Sequence, residues 1–323
     1  MKTNPGTDRR EFLRRGIGAA GGVLLASTLP AFPPQACAAE GPDISFPTPP
    51  GDRIAVASYP FREFIAGRRD QGAAGGKMAI KDFGAHVAEK FGVKHIEPWS
   101  AHFLSLKPDY LTEIRATLAK AGVEIANLAV DGQYSQYAKD KEERAKAIEF
   151  AKSWIDAAAA VHAPSIRTNI PRAKDGDADA TLAAGALREI ASYGESKKVV
   201  VNLENDNPVS EDPFFLVKVI EQAATPWLRA LPDFGNTLTA HPAEYAYDGM
   251  TKMFAHAYNI CHVKAMEESE KGGLIHVDLE KAFGILRASG YRGFCSMEFD
   301  SPGDPYAGTK ELVERSLKGL ATS

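Results

Sequence analysis

Cysteine is scarce in this chain: Cys37, Cys261 and Cys295 are the only three in 323 residues. Such a chain is no disulfide scaffold, so apolar burial has to hold its core. Basic charge is not in surplus either. Asp and Glu number 42 against 38 Lys and Arg, a formal charge of −4, which disfavours a nucleic-acid polyanion as the main partner. The apolar run over residues 16–29 is too short and too glycine-rich for a comfortable membrane span. No G-x-G-x-x-G turn follows the first predicted strand, which removes the signature of a dinucleotide fold, and no phosphate cradle is visible. Beyond an alternation of strand-like and helix-like stretches there is no internal repeat.

What is present begins with TDRREFLRR, then the apolar Gly/Ala run, then ACAAE. That order reads as a twin-arginine export signal, with the A-x-A pattern at Ala36 and Ala38 placing cleavage nearby. Acylation of Cys37 is a weaker reading, because Pro34, Gln35 and Ala36 make a poor lipobox. The expected organisation is a signal over 1–39, a Pro-rich extended lead-in over 40–52 and one folded domain over 53–323. Its expected destination is the periplasm or the exterior, with no stable membrane span once the signal is removed. Loss of residues 1–39 takes away five basic and two acidic side chains, and the formal charge moves from −4 to −7.

The stretch that organises the rest is VVVNLEND, residues 199–206, where three β-branched residues lead to the carboxylate of Glu204. A continuous apolar run between helical patterns is the mark of a strand covered on both faces, as in a parallel α/β sheet. Seven other stretches behave alike: RIAVASYPF, VKHIEPWS, VEIANLAV, PSIRTNIP, LRALPDFGN, NICHVKA and GFCSMEFD. Helical patterns over 79–91, 108–121, 139–161, 178–196, 213–223, 243–257 and 277–289 separate them, and Pro108 and Gly122 punctuate the second. Eight alternations predict a single-domain (β/α)8 TIM barrel, in which the C-terminal strand ends carry the chemistry.

On four successive strand ends stand Glu204, Asp233, His262 and Glu298. Two Glu, one Asp and one His from neighbouring strands could converge on one divalent cation. Alternation along the strands adds a consequence. If His262 and Glu298 face the barrel interior, Lys264 does too, while Cys261, Cys295 and Met297 face the helices, where the thiols are buried and inert. Tyr59, Phe61, Arg62, Glu97, Trp99, Arg167 and Asn169 also lie at strand tips, an aromatic and polar set that suits a sugar ring.

With E-N on the fifth strand, D-x-G-N on the sixth, H-V-K on the seventh and G-Y-R-G before the M-E tip of the eighth, the chain resembles the xylose isomerase-like TIM-barrel superfamily, the sugar phosphate isomerase/epimerase group. The resemblance implies that Glu204, Asp233, His262 and Glu298 ligate one ion, Mn²⁺ first, with Mg²⁺, Co²⁺ or Zn²⁺ as alternatives. It implies a sugar isomerase or epimerase working through an enediolate, in which Glu204 and Glu298 are also the acid/base pair. Lys264, Asn236, Glu97, Trp99, Arg62 and Arg167 are the substrate-contact candidates.

The motifs also depart from the group. Asn236 and Asp206 stand where its sugar epimerases often carry His, and Ala265 replaces the acid of H-x-K-D. Specificity is therefore expected to have shifted. Export favours an unphosphorylated carbohydrate as the small-molecule partner, and a homo-oligomer stays open. A 3-keto-glycoside lyase or hydratase would use the same metal and the same proton abstraction. A non-catalytic carbohydrate-binding barrel is the alternative from another class. The apurinic-site endonucleases on this fold need several more histidines than this chain has at its strand tips.

Overall fold

The computed structural model describes residues 41–73, 75–268 and 273–321. The export signal expected over 1–39 lies outside the described residues. Strand and helix alternate from β1 (Ile54–Ala57) through α1 (Ile80–Phe91), β2 (His95–Glu97), α2 (Pro108–Ala121), β3 (Glu124–Ile125), β4 (Leu128–Ala129) and α3 (Lys141–Ala160). They continue with β5 (Ser165–Thr168), α4 (Ala180–Lys197), β6 (Val200–Glu204), the short α5 (Asn207–Ser210), α6 (Pro213–Ala223), β7 (Leu228–Leu231) and α7 (Ala243–Phe254). The last part holds β8 (Ile260–Val263), a hairpin of β9 (Met266–Glu268) and β10 (Leu274–His276), α8 (Leu279–Ala288), β11 (Phe294–Met297) and α9 (Pro305–Ala321).

Parallel pairing runs β3-β2-β1-β11-β8 in one sheet and β4-β5-β6-β7 in the other. Bridges between Trp99 and Ala129 and between Asp233 and His262 join the two into the expected barrel. Its third stave is broken, unlike the single strand predicted over 123–130. The backbone of Ala126 still donates to Ile96, but Asn127 turns its amide inward, donating to Glu97 and accepting from Ser165. A polar side chain with inward work to do ends the regular ladder there. The hairpin of β9 and β10 is also absent from the sequence reading, because its strongly charged residues show no two-residue alternation.

Alternation sorts the strands as expected. Ile54, Val56, Val201, Cys261, Val263, Cys295 and Met297 join the cluster between barrel and helices. Ala55, Ala126, Leu231, Ile260 and Phe294 form a separate cluster, and Phe46 packs against it. The lead-in is therefore more than an extended tail: Phe46 meets Tyr258 and Phe294 edge-on, and Ile44 donates its amide to the Tyr258 hydroxyl. Helix starts follow the punctuation. Asp179 caps α4 by accepting from Thr181 and Leu182, and Asp212 caps α6 just before Pro213. Helix α9, beyond the eighth predicted strand, buries Thr309, Leu312 and Ser316 and lies against β1 and β11.

Candidate metal centre

Glu204 closes β6, Asp233 follows β7, His262 lies within β8 and Glu298 follows β11. Each offers one ligand atom, and these atoms lie within 4.8 Å of one another with all four residues buried. His262 Nδ1 stands 2.7 Å from Glu204 Oε1, 3.1 Å from Glu298 Oε2 and 3.9 Å from Asp233 Oδ2. The backbone sets the Asp233 carboxylate: Oδ1 accepts from the amides of Gly235 and Asn236, each at 2.7 Å. Asn205 fixes the same turn, accepting from the Asp233 amide and donating to its carbonyl. Oδ2 of Asp233 is buried and has no hydrogen-bond partner. A buried carboxylate oxygen without a donor is costly, and a cation ligated there would satisfy it. Three carboxylates and one imidazole form a donor set suited to Mn²⁺ or Mg²⁺, with Co²⁺ and Zn²⁺ also compatible.

Behind this cluster the barrel interior is polar. His262 Nε2 meets both carboxylate oxygens of Glu97, at 3.0 and 2.9 Å. Glu97 accepts from Asn127, Asn127 accepts from Ser165, Ser165 accepts from Asn259, and Asn259 accepts from Asn202. All are fully buried, and hydrogen bonding is what makes such burial tolerable. The chain ends on Glu97, which holds the imidazole so that Nδ1 faces the other three carboxylates.

Above the cluster opens a cavity of about 240 Å³, lined by Tyr59 and Trp99 on one side and by Arg167, Asn236 and Lys264 among its polar groups. Trp99 Nε1 donates to Asp131 Oδ2 at 2.6 Å, and Arg167 bridges Asp131 Oδ1 at 2.5 Å and Glu204 Oε2 at 2.8 Å. Lys264 Nζ donates to Asn236 Oδ1 and Glu267 Oε2, both at 2.8 Å, and lies 3.5 Å from Glu298. Asp206 accepts from Asn169 and caps α5 while lining the cavity.

The electrostatics follow from burial and these partners. Burial pushes the Asp233 carboxyl up to about 7, Lys264 pulling against it and Glu204 and Glu298 adding to it. Burial also raises Glu204, only partly offset by Arg167 and His262. Glu298 is as deeply buried, yet Lys264 and His262 outweigh desolvation and hold it below the usual carboxylate range. For His262, burial opposes the charge, but Glu97, Glu204 and Glu298 together raise it well above the ordinary imidazole value. Burial lifts the Tyr59 phenol to about 12.

Of the sequence-derived contact candidates, Lys264, Asn236, Trp99 and Arg167 line the cavity. Glu97 does not: it lies behind His262, sealed from the cavity, and its carboxylate is engaged by the imidazole and Asn127. Arg62 sits at the rim, its guanidinium 4.3 Å from the Tyr59 ring centroid and 3.4 Å from Asp300. Asp131 and Asp300, which line the cavity, escape sequence reasoning because each lies just past a strand end where a loop acid is unremarked. Cys261 and Cys295 are buried free thiols with sulfurs 3.7 Å apart, on the helix side as alternation requires.

The family profile described as xylose isomerase-like TIM barrel matches residues 85–321. Comparison with curated proteins gives no match. Among solved structures, a xylose isomerase-like TIM barrel protein from Mycobacterium smegmatis, in complex with magnesium, is 21% identical with a TM-score of 0.62, over 83% of this chain and 96% of that one. An L-ribulose 3-epimerase is 14% identical with a TM-score of 0.64, over 83% and 95%. A 3-keto-D-glucoside 4-epimerase from E. coli, in its apo form, is 15% identical with a TM-score of 0.61, over 84% and 99%. At these identities the likeness is one of fold. The profile, by contrast, runs from the first barrel helix to the last, and on that match this chain belongs to the xylose isomerase-like TIM barrel family.

Proposed function

We propose that this protein is a divalent-metal-dependent sugar isomerase or epimerase acting on an unphosphorylated keto or aldo sugar or a derivative of one. The observation that carries the reading is the convergence of Glu204, Asp233, His262 and Glu298 within 4.8 Å at the floor of a polar cavity with an aromatic side. A divalent cation held by these four, Mn²⁺ in the first instance, would act as a Lewis acid on oxygens next to a carbonyl and favour the enediolate. Glu204 and Glu298, the two of these four that line the cavity, would be both ligands and the acid/base pair that moves the carbon-bound proton. Carboxylates working on opposite faces of the ring give epimerisation, and one shuttling carboxylate gives isomerisation. Lys264, Asn236 and Arg167 orient sugar hydroxyls, Trp99 and Tyr59 cover a ring face, Arg62 closes the rim, and Glu97 positions His262.

The charge balance of the lining supports an unphosphorylated substrate. Asp131, Glu204, Asp206, Glu298 and Asp300 face Arg167 and Lys264, and both cations are already engaged by these acids or by Asp233 and Glu267. A phosphate would meet more negative than positive charge there. Residues 1–39 would deliver the chain to the periplasm or the exterior by the twin-arginine route, a reading that rests on TDRREFLRR and the apolar run.

The test is metal content per chain for wild type and Asp233→Ala after identical dialysis, followed by deuterium uptake from solvent into D-fructose and related keto sugars. About one ion per wild-type chain, weakened or lost in the variant, with uptake that requires the ion, is the expected result. A protein that holds no ion even when it is supplied, and exchanges no proton, would instead be a carbohydrate-binding barrel.

A further inference from the structure

Beside the metal cavity lies a second one of about 310 Å³, formed by the loops after β1 and β11. Pro60, Phe64, Phe299, Pro302 and Pro305 give it an apolar side, and Arg62, Glu63, Asp300 and Ser301 a polar one. Phe64 is 43% exposed and presents its ring to this space. Its ring is set edge-on to Tyr306 at 5.5 Å. Phe299 is held more tightly, since a Cβ at Gly308 of α9 would come within 2.2 Å of its ring. Glycine at 308 clears the space in which Phe299 stands. The Ser301 hydroxyl in the same wall is buried without a hydrogen-bond partner.

The two spaces meet at Asp300. Asp300 lines both, and its partner Arg62 lines the second while lying over Tyr59, which lines the first. The Arg62–Asp300 pair is long, at 3.4 Å, and its side chains are 34% and 23% exposed, so the contact is weak enough to be rearranged by a ligand. The metal cavity alone, about 240 Å³, falls below the span of roughly 300–1,000 Å³ usual for small-molecule sites, and the second cavity brings the whole within it.

We propose that the second cavity is a subsite for the apolar aglycone of a glycoside whose sugar ring occupies the metal cavity. Phe64 and Phe299 would cover the aglycone, and the Arg62–Asp300 pair would lie at the junction between ring and aglycone. The inference rests on the metal cavity being a sugar site, and it narrows the substrate from a free monosaccharide to a substituted one.

The experiment is calorimetric titration of the full chain, supplied with Mn²⁺, with methyl 3-keto-glucoside and with phenyl 3-keto-glucoside. On the wild type the phenyl compound should bind about tenfold more tightly, the scale of one well-covered aromatic contact. In Phe64→Ala that advantage should shrink towards equality while methyl binding is unchanged, which also shows the variant to be folded. Equal affinity of both probes on the wild type, or a variant that weakens both alike, overturns the subsite and leaves the sugar site standing. Failure of both probes on a wild type that exchanges deuterium into keto sugars overturns the glycoside subsite alone, and failure of both where no such exchange occurs overturns the sugar site with it.

Discussion

His262 is asked to satisfy two partners at once, and its neighbours show how. Glu97 takes Nε2 and thereby leaves Nδ1 for the cluster of Glu204, Asp233 and Glu298. A carboxylate behind a ligating imidazole fixes its orientation, and removing one typically costs about 10–100-fold in metal affinity. Glu97→Gln should therefore weaken Mn²⁺ binding by that order in a competition titration, although residue 97 touches neither the cavity nor the ion. Unchanged affinity would reduce Glu97 to a filler of the barrel interior. The inward direction of Glu97 was legible from its strand, but its depth was not: β2 has only three residues, and alternation says which way a side chain points, not how far below the rim it sits. His102 presents a second case. Its Nδ1 meets the Ser58 hydroxyl, which accepts from the Trp99 amide, and burial, with Arg62 adding, holds the ring down to about 4 from its ordinary 6.5. The unfolded chain takes up this proton first, so the neutral ring's share of stability is complete above 6.5 and is lost as pH falls towards 4. Over that window the loss is roughly 3 kcal/mol. Denaturant titration at pH 7 and pH 4.5 should show His102→Gln losing about 2–3 kcal/mol less than wild type between the two. Equal losses would place the ring in contact with water.

Helix α4 shows what separates the legible from the illegible among the elements. It precedes β6, the strand that delivers Glu204, and carries two glycines with opposite surroundings. A Cβ at Gly194 would come within 2.4 Å of the Val199 carbonyl oxygen, whereas one at Gly185 meets nothing within 4 Å. Gly185→Ala should then stabilise the protein by roughly 0.5–1 kcal/mol through helix propensity and the unfolded chain. Gly194→Ala should destabilise it by about 1–3 kcal/mol, because the helix end must move off the strand. Thermal unfolding of the two variants checks the pair, and a gain at both positions would mean that α4 and β6 are less tightly apposed than they are here. Sequence marks both glycines identically, since the difference lies in what crosses above them. Elements bounded by their own chemistry were legible: α2 runs from Pro108 to the left-handed Gly122, and α6 from Pro213 behind its Asp212 cap, with the bounds the sequence predicts. Elements bounded by tertiary partners were not. The break between β3 and β4 is made by Asn127 reaching Glu97 and Ser165, and the packing of Phe46 against Phe294 depends on residues some 250 positions away.

At the scale of the molecule, the four-residue cluster and the barrel test one another, because the four candidate ligands come from four strands that only the closed sheet brings together. Their convergence was predictable from order alone, since successive parallel strands present their C-terminal ends on one face. The concentration of charge there was not, and it ties stability to both pH and cation. With its carboxyl pushed up to about 7 from 3.8, Asp233 keeps a proton in the fold that the unfolded chain has released. Its contribution to stability therefore declines as pH rises from 3.8 towards 7, unless a cation takes the proton's place. Cation and proton compete for the same carboxylate, so affinity should rise with pH through about 7 and uptake at pH 6 should release a proton. At a Mn²⁺ concentration of about 100 times Kd the fold gains roughly 2.7 kcal/mol. For a chain of 323 residues that corresponds to a rise in Tm of about 4–5 °C. At pH 7.5 wild type should show the full rise. At pH 5, with the same total Mn²⁺, the rise should be much smaller. Asp233→Asn, which cannot ionise, should show little rise at either pH, and in the absence of added cation it should lose the decline in stability between pH 5 and 7.5 that wild type displays. A rise in wild type that is the same at both pH values would mean that the cation does not displace the Asp233 proton, and would move the centre of the site towards Glu298 and Glu204.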